Sequence, residues 1–121
     1  MHISEITQNS HEQLARTYTP EIQIFETSEE ADTFAAERLI QQIQMKPDSV
    51  LTLPTGTTPI GMYNQIVDVY NQGIVDFSAA TIFNLDEYYP IDKNALQSYH
   101  RFMRVNLFDH IDIDQANCHI P

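Results

Sequence analysis

The sequence predicts the α/β class, with an open, mainly parallel sheet flanked by helices. Two observations predict it. Short apolar runs alternate with longer segments whose apolar residues recur at helical spacing, which is the pattern of strands joined by right-handed helical crossovers. The two segments densest in turn and polar chemistry, Pro54–Thr58 and Asp86–Tyr89, each follow directly on a strand-like run. Both therefore belong on the carboxyl edge of the sheet, where folds of this class bind their ligands.

Met1–Pro20 is polar, lacks sustained periodicity and ends in Thr19-Pro20, so it is expected to be an N-terminal extension outside the domain, which runs from 21 to 121. Glu21–Phe25 alternates, with Ile22 and Ile24 on one face, and is expected to form the first strand. Thr27-Ser28-Glu29-Glu30 has the capping-box pattern, and Ala31, Phe34, Ala35, Leu39 and Ile43 mark a helix that Lys46-Pro47 stops. Pro47-Asp48 turns the chain into Val50–Leu53, an apolar run suited to a buried strand. After Pro54-Thr55-Gly56-Thr57, Thr58 is a good N-cap and Pro59 a good first helical residue, since proline has no orphan amide to satisfy. Ile60, Tyr63, Val67 and Tyr70 give the face of this second helix, and Gly73 suits the left-handed position past its end. Ala79–Leu85 reads as the next strand and Ile91–Ala95 as loop. Leu96, Tyr99, Met103 and Leu107 mark a third helix reaching about Phe108, and the tail Asp109–Pro121 has no long apolar segment.

Composition limits the functions available. A chain of 121 residues with 42% apolar residues is enough for one modest core. The net charge of −11, with six Lys and Arg that form no run, argues against nucleic acid as a partner. Cys118 is the only cysteine, so no internal disulfide forms, and no apolar stretch approaches a membrane span or a signal-peptide core. A soluble cytoplasmic protein with no membrane partner is expected.

The Pro54–Thr58 loop gathers amides, hydroxyls and the positive end of a helix dipole at one point, which suits an anion and above all a phosphate. It is not a Walker loop, having no lysine, and no G-x-G-x-x-G occurs. An ordinary well-capped connection remains the alternative. Asp86, at the end of a buried strand, is expected to be partly desolvated and hence a better proton acceptor than a surface carboxylate, with Glu87 beside it as partner. Spacing leaves open that Asp86 only caps a turn or pairs with an arginine. The histidines, with Asp112, Asp114 and Cys118, match no metal-ligand spacing, and neither a metal nor another cofactor is expected.

Leu53–Pro59, Phe83–Tyr88, Ser98–Met103 and Asn106–His110 together resemble the N-terminal half of the glucosamine-6-phosphate deaminases, in the same order and with matching separations. The resemblance runs from about Glu21 to the end. It implies a Rossmann-like fold and the conversion of glucosamine 6-phosphate to fructose 6-phosphate and ammonia without a metal. It also implies that Thr55, Gly56, Thr57 and Thr58 help hold the sugar phosphate, that Asp86 moves a proton from C2 to C1 of the opened sugar, and that Glu87 lies beside it in the site. The complete protein is expected to form homo-oligomers. The 6-phosphogluconolactonases, a sister family, usually carry a basic residue after the Asp-Glu pair, where this chain has Tyr88. Thr57 departs from the glycine frequent in the deaminases. The Gly-rich block with Asp, His and Glu that completes their site has no counterpart in the 121 residues, so the chain is expected to be a part of such an enzyme and inactive alone. A sugar-phosphate-binding or structural fragment is the alternative.

Overall fold

The computed structural model describes residues 19–121; the extension read at Met1–Pro20 lies outside them except for its last two residues. In chain order the elements are helix α1 (Ser28–Met45), strand β1 (Val50–Thr52), helix α2 (Ile60–Asn71), strand β2 (Thr81–Phe83), helix α3 (Tyr99–Asn106) and strand β3 (Cys118–His119). Single 3-10 turns at Phe108–His110 and Gln115–Asn117 lie between α3 and β3. The strands form a parallel sheet in the order β1-β2-β3, with Leu51 opposite Ile82 and Ile82 opposite Cys118. The α/β parallel architecture expected from the sequence is what forms.

Helix α1 begins where the capping pattern puts it. Thr27 accepts from the Glu30 amide at 3.2 Å, and Glu29 and Glu30 lie in the first turn, where the helix dipole favours negative charge. Ala36, Ile40 and Ile43 are its buried face, packed with Tyr63 and Ile66 of α2 into a core that also takes Phe77, Ile82, Met103 and Leu107. Helix α2 ends in a Schellman motif. The Gly73 amide donates to Tyr70 O at 2.9 Å and the Ile74 amide to Val69 O at 3.5 Å, which requires Gly73 to hold φ +78°, a conformation that glycine adopts without penalty.

Several expectations are corrected. Glu21–Phe25 is not a strand: Ile22 and Ile24 stand 77% and 90% exposed, because alternation makes a strand only where another strand offers its edge. Phe25 instead packs on Phe34 of α1, with ring centroids 5.3 Å apart. Strand β1 lies at the edge of the described sheet rather than buried, with Val50 exposed and Leu51 half-buried. Thr58 does not cap α2. Pro59 occupies the N-cap position and no side chain caps the helix. Ala79–Leu85 contracts to Thr81–Phe83, with Ala79 in a turn and Leu85 exposed. The third helix starts at Tyr99 rather than near Leu96, because Ser98 takes the cap by accepting from the Arg101 amide at 3.0 Å. The tail, which has no long apolar segment, still joins the sheet and the core. It supplies β3, buries Ile111 and Ile113, and Asp112 accepts from the Phe77 amide at 2.6 Å.

Burial alternates across the sheet. Leu51, Ile82 and Cys118 pack into the core, whereas Val50, Thr52, Phe83 and His119 point to the opposite, exposed side. No described helix is long and apolar enough to cross a membrane.

Candidate functional site at the carboxyl edge of the sheet

Both segments singled out in the sequence emerge from the carboxyl ends of neighbouring strands. Past β1, the Leu53 amide donates to Phe83 O at 3.0 Å and the chain turns through Pro54–Thr58 into α2. Gly56 makes that turn at φ +96°, where a side chain would be strained although space is open around it. No side chain caps α2; the Ile60 amide turns back to Thr57 O at 3.3 Å, and the start of the helix is left without a side-chain acceptor. Tyr63 supports the loop from below by donating its hydroxyl to Pro54 O, and burial raises its phenol above the ordinary tyrosine value. Asn84, 6% exposed, ties the strand ends together. Its Nδ2 donates to Leu53 O at 2.7 Å and its backbone N–H to His119 O at 3.0 Å, while its Oδ1 has no protein partner.

Asp86 and Glu87 follow β2 and part company at once. Asp86 is exposed, so the partial desolvation expected of it does not occur. The shielded carboxylate is Glu87, whose side chain is only 6% exposed. It accepts from the amides of Tyr88 at 3.0 Å, Tyr99 at 2.9 Å and His100 at 3.0 Å, and contacts His100 Nδ1 at 2.7 Å. Burial pushes the Glu87 carboxyl up. The Tyr99 amide, the His100 ring and the amides of His100 and Tyr88 together outweigh that and hold it at about 2. A carboxylate so engaged is a brace: it fixes the first turn of α3 against the end of β2.

Helix α3 brings in residues that sequence reasoning did not assign to the site. The Tyr99 hydroxyl lies 3.3 Å from that of Tyr88, with ring centroids 5.0 Å apart, and the Thr55 side chain is near enough to act on it. Its phenol is raised by the Tyr88 hydrogen bond first, then by desolvation and the charges of Tyr88 and Asp86, with Thr55 opposing. One hydroxyl thus senses both the loop after β1 and the aspartate after β2. A cavity of about 300 Å³ adjoins it, with Gly56 and Thr57 on one side and Gln97, Tyr99, Arg101 and Phe102 on the other. Of the four loop residues, Thr55 meets Tyr99, Gly56 and Thr57 line the cavity, and Thr58 is exposed and outside its lining. The sequence marks Tyr99 by helix periodicity and by the Ser98–Met103 block, and assigns it no role in the site. Its signal was position, directly after the Ser98 cap in one of the quoted blocks. Arg101 provides the nearby cation that the loop itself lacks. Cys118 is no nucleophile here, since burial and then the charge of Asp114 push its thiol up to about 11.

No protein-family model matches the chain. Curated relatives do. The chain is 49% identical over 98 residues to the glucosamine-6-phosphate deaminase of Halothermothrix orenii, a match covering 81% of this chain and 41% of that protein. It is 52% identical over 87 residues to the glucosamine-6-phosphate deaminase of Clostridioides difficile, covering 72% and 35%. The fold is similar to that of a monomeric glucosamine-6-phosphate deaminase, with a TM-score of 0.81 and 35% identity over 84% of this chain and 42% of that one. A 6-phosphogluconolactonase from Trypanosoma brucei shares the fold at a TM-score of 0.67 and 21% identity, covering 84% of this chain and 39% of that one. The resemblance read from the four motif blocks is borne out, and the chain spans about two fifths of the length of the curated relatives it matches.

Proposed function

We propose that this chain forms the phosphate-loop and proton-transfer half of a glucosamine-6-phosphate deaminase, acting on glucosamine 6-phosphate to give fructose 6-phosphate and ammonia. The observation that carries the reading is the meeting of the Thr55–Thr57 loop, Asp86 and Tyr99 at one strand-end edge beside a cavity that Arg101 also lines. The phosphate sits against the Gly56 and Thr57 backbone and the uncapped start of α2, with Arg101 supplying positive charge. Asp86, which accepts no hydrogen bond among the described residues, is the base that takes the C2 proton of the opened sugar and returns it to C1. Glu87 is unsuited to that role, because a carboxyl held at about 2 by four hydrogen bonds is a weak proton acceptor at neutral pH. It positions α3, and through α3 it positions Tyr99 and Arg101. The reaction takes place in the cytoplasm, in an assembly of several copies of the complete enzyme.

Ammonia release measured on two polypeptides tests this reading. The 121-residue chain alone is expected to release none. A fusion of the chain to the part of the Halothermothrix orenii deaminase that it does not cover is expected to release ammonia from glucosamine 6-phosphate. Ammonia production by the isolated chain overturns the division of labour, and a folded but inactive fusion overturns the enzyme reading.

A further inference from the structure

Helix α3 borders two cavities with different positive charges. Successive residues of a helix advance by about 100°, so Arg104 stands between His100, about 40° away, and Arg101, about 60° away, and the three fan out from one side of the helix. Arg101 lines the cavity beside Gly56 and Thr57. His100 and Arg104 line a separate cavity of about 210 Å³ together with Lys93, Gln115 and Cys118, and no acidic residue is in its lining.

The charge balance makes this placement informative. The chain carries 17 Asp and Glu against six Lys and Arg, so most cations are expected to find a carboxylate. Two of the six converge on one cavity, and neither Lys93 nor Arg104 makes an ion pair there, as no described lysine or arginine does. The partners they do have leave donors over. Arg104 gives one N–H to Asn94 Oδ1 at 2.9 Å, which steadies the guanidinium and leaves its other donors. His100 engages Glu87 through Nδ1 at 2.7 Å, which orients the ring and leaves Nε2. Among the described residues Glu87 is the carboxylate paired with His100, and Asp114 acts on Cys118. Lysine and arginine held together without a counter-charge repel one another, and a bound anion removes that repulsion.

We infer that the cavity lined by Lys93, His100 and Arg104 is a second anion-binding site, taking a small doubly charged oxyanion such as inorganic phosphate or the phosphate group of a small ester. Its size supports this class, because larger organic ligands fill pockets of roughly 300–1,000 Å³. The site is a separate cavity from the one beside Gly56 and Thr57 and does not depend on the deaminase reading.

The test is a phosphate titration of the full chain followed by amide NMR at constant ionic strength, with glucosamine 6-phosphate titrated in parallel. Inorganic phosphate is expected to shift the His100, Arg104 and Gln115 resonances saturably. Lys93→Gln and Arg104→Gln are each expected to weaken binding about tenfold, as for the loss of one charge-assisted contact. Arg101→Gln is expected to leave those shifts in place. If the shifts vanish at matched ionic strength, or respond to Arg101→Gln rather than to Lys93→Gln and Arg104→Gln, the second site does not exist. That result leaves the deaminase reading untouched, since that reading rests on the cavity beside Gly56 and Thr57. Shifts with inorganic phosphate alone identify the free ion as the ligand, and equal shifts with the sugar ester identify the phosphate group in either form.

Discussion

The two corners of the carboxyl edge are finished in opposite ways. After β1, the loop reaches α2 without a side-chain cap, through a glycine in a left-handed conformation. After β2, Glu87 is satisfied by three amides and an imidazole within the protein. One corner leaves its helix start without a side-chain acceptor, and the other gathers three amides and an imidazole on one carboxylate to hold α3 still. Binding needs groups that are placed but not engaged, whereas placement needs groups that are fully engaged. Adjacent residues fall on either side of this division, with Asp86 open to solvent and Glu87 enclosed.

The largest effect expected from breaking this contrast is chemical. Asp86→Asn, made in the active fusion, keeps the shape and removes the proton acceptor. Turnover should fall by at least ~10²-fold with modest change in KM, as steady-state kinetics will show. Glu87→Gln should act on stability instead. It retains one acceptor but loses the charge behind four hydrogen bonds, at a cost of about 2 kcal/mol in denaturant unfolding. The pH dependence follows from its sign. Glu87 is lowered from 4.5 to about 2, so its contribution to folding is fully present above about 4.5 and is lost as pH falls toward 2. The wild-type chain should therefore lose stability across that interval more steeply than Glu87→Gln. If the two acid curves run parallel, Glu87 is not the brace described.

The smallest change concerns the open corner. Gly56→Ala places a side chain at φ +96° with nothing to strike, so backbone strain alone should cost about 1 kcal/mol of stability. The added methyl group also stands where phosphate approaches, and KM in the fusion should rise several-fold with kcat little changed. An unchanged KM would remove the loop from the phosphate site.

What was legible in the sequence had local causes. The Thr27 cap, the stop at Lys46-Pro47 and the Gly73 terminus are each decided within a few residues, and each stands where the sequence put it. The loop and the Asp86-Glu87 pair were located because both follow strands. What was missed was decided elsewhere in the chain. Glu21–Phe25 alternates as a strand should, yet pairing requires a neighbour that alternation cannot reveal. Cys118–His119 has no strand signal of its own and becomes one because β2 offers a free edge. The expected desolvation of Asp86 went to Glu87, because the start of α3 delivers its amides to the second carboxylate rather than the first. Leu96 suggested a helix start by period, and the Ser98 hydroxyl overrode it three residues before Arg101. Arg101 and Tyr99 became site residues only when α3 folded against the loop.

Asn84 has a consequence in time as well as in space. Its side chain reaches Leu53, 31 residues earlier, while its backbone amide reaches His119 near the end of the chain. Neither bond can form until the crossover on its own side has folded back, and closing loops of that length is the slow part of building a parallel sheet. The edge that carries Asp86 and the Pro54–Thr58 loop is therefore expected to be set in register late in folding. A chain released from a ribosome has its helices before it has its site, and hydrogen exchange should find the Leu53 and Asn84 amides among the last to gain protection.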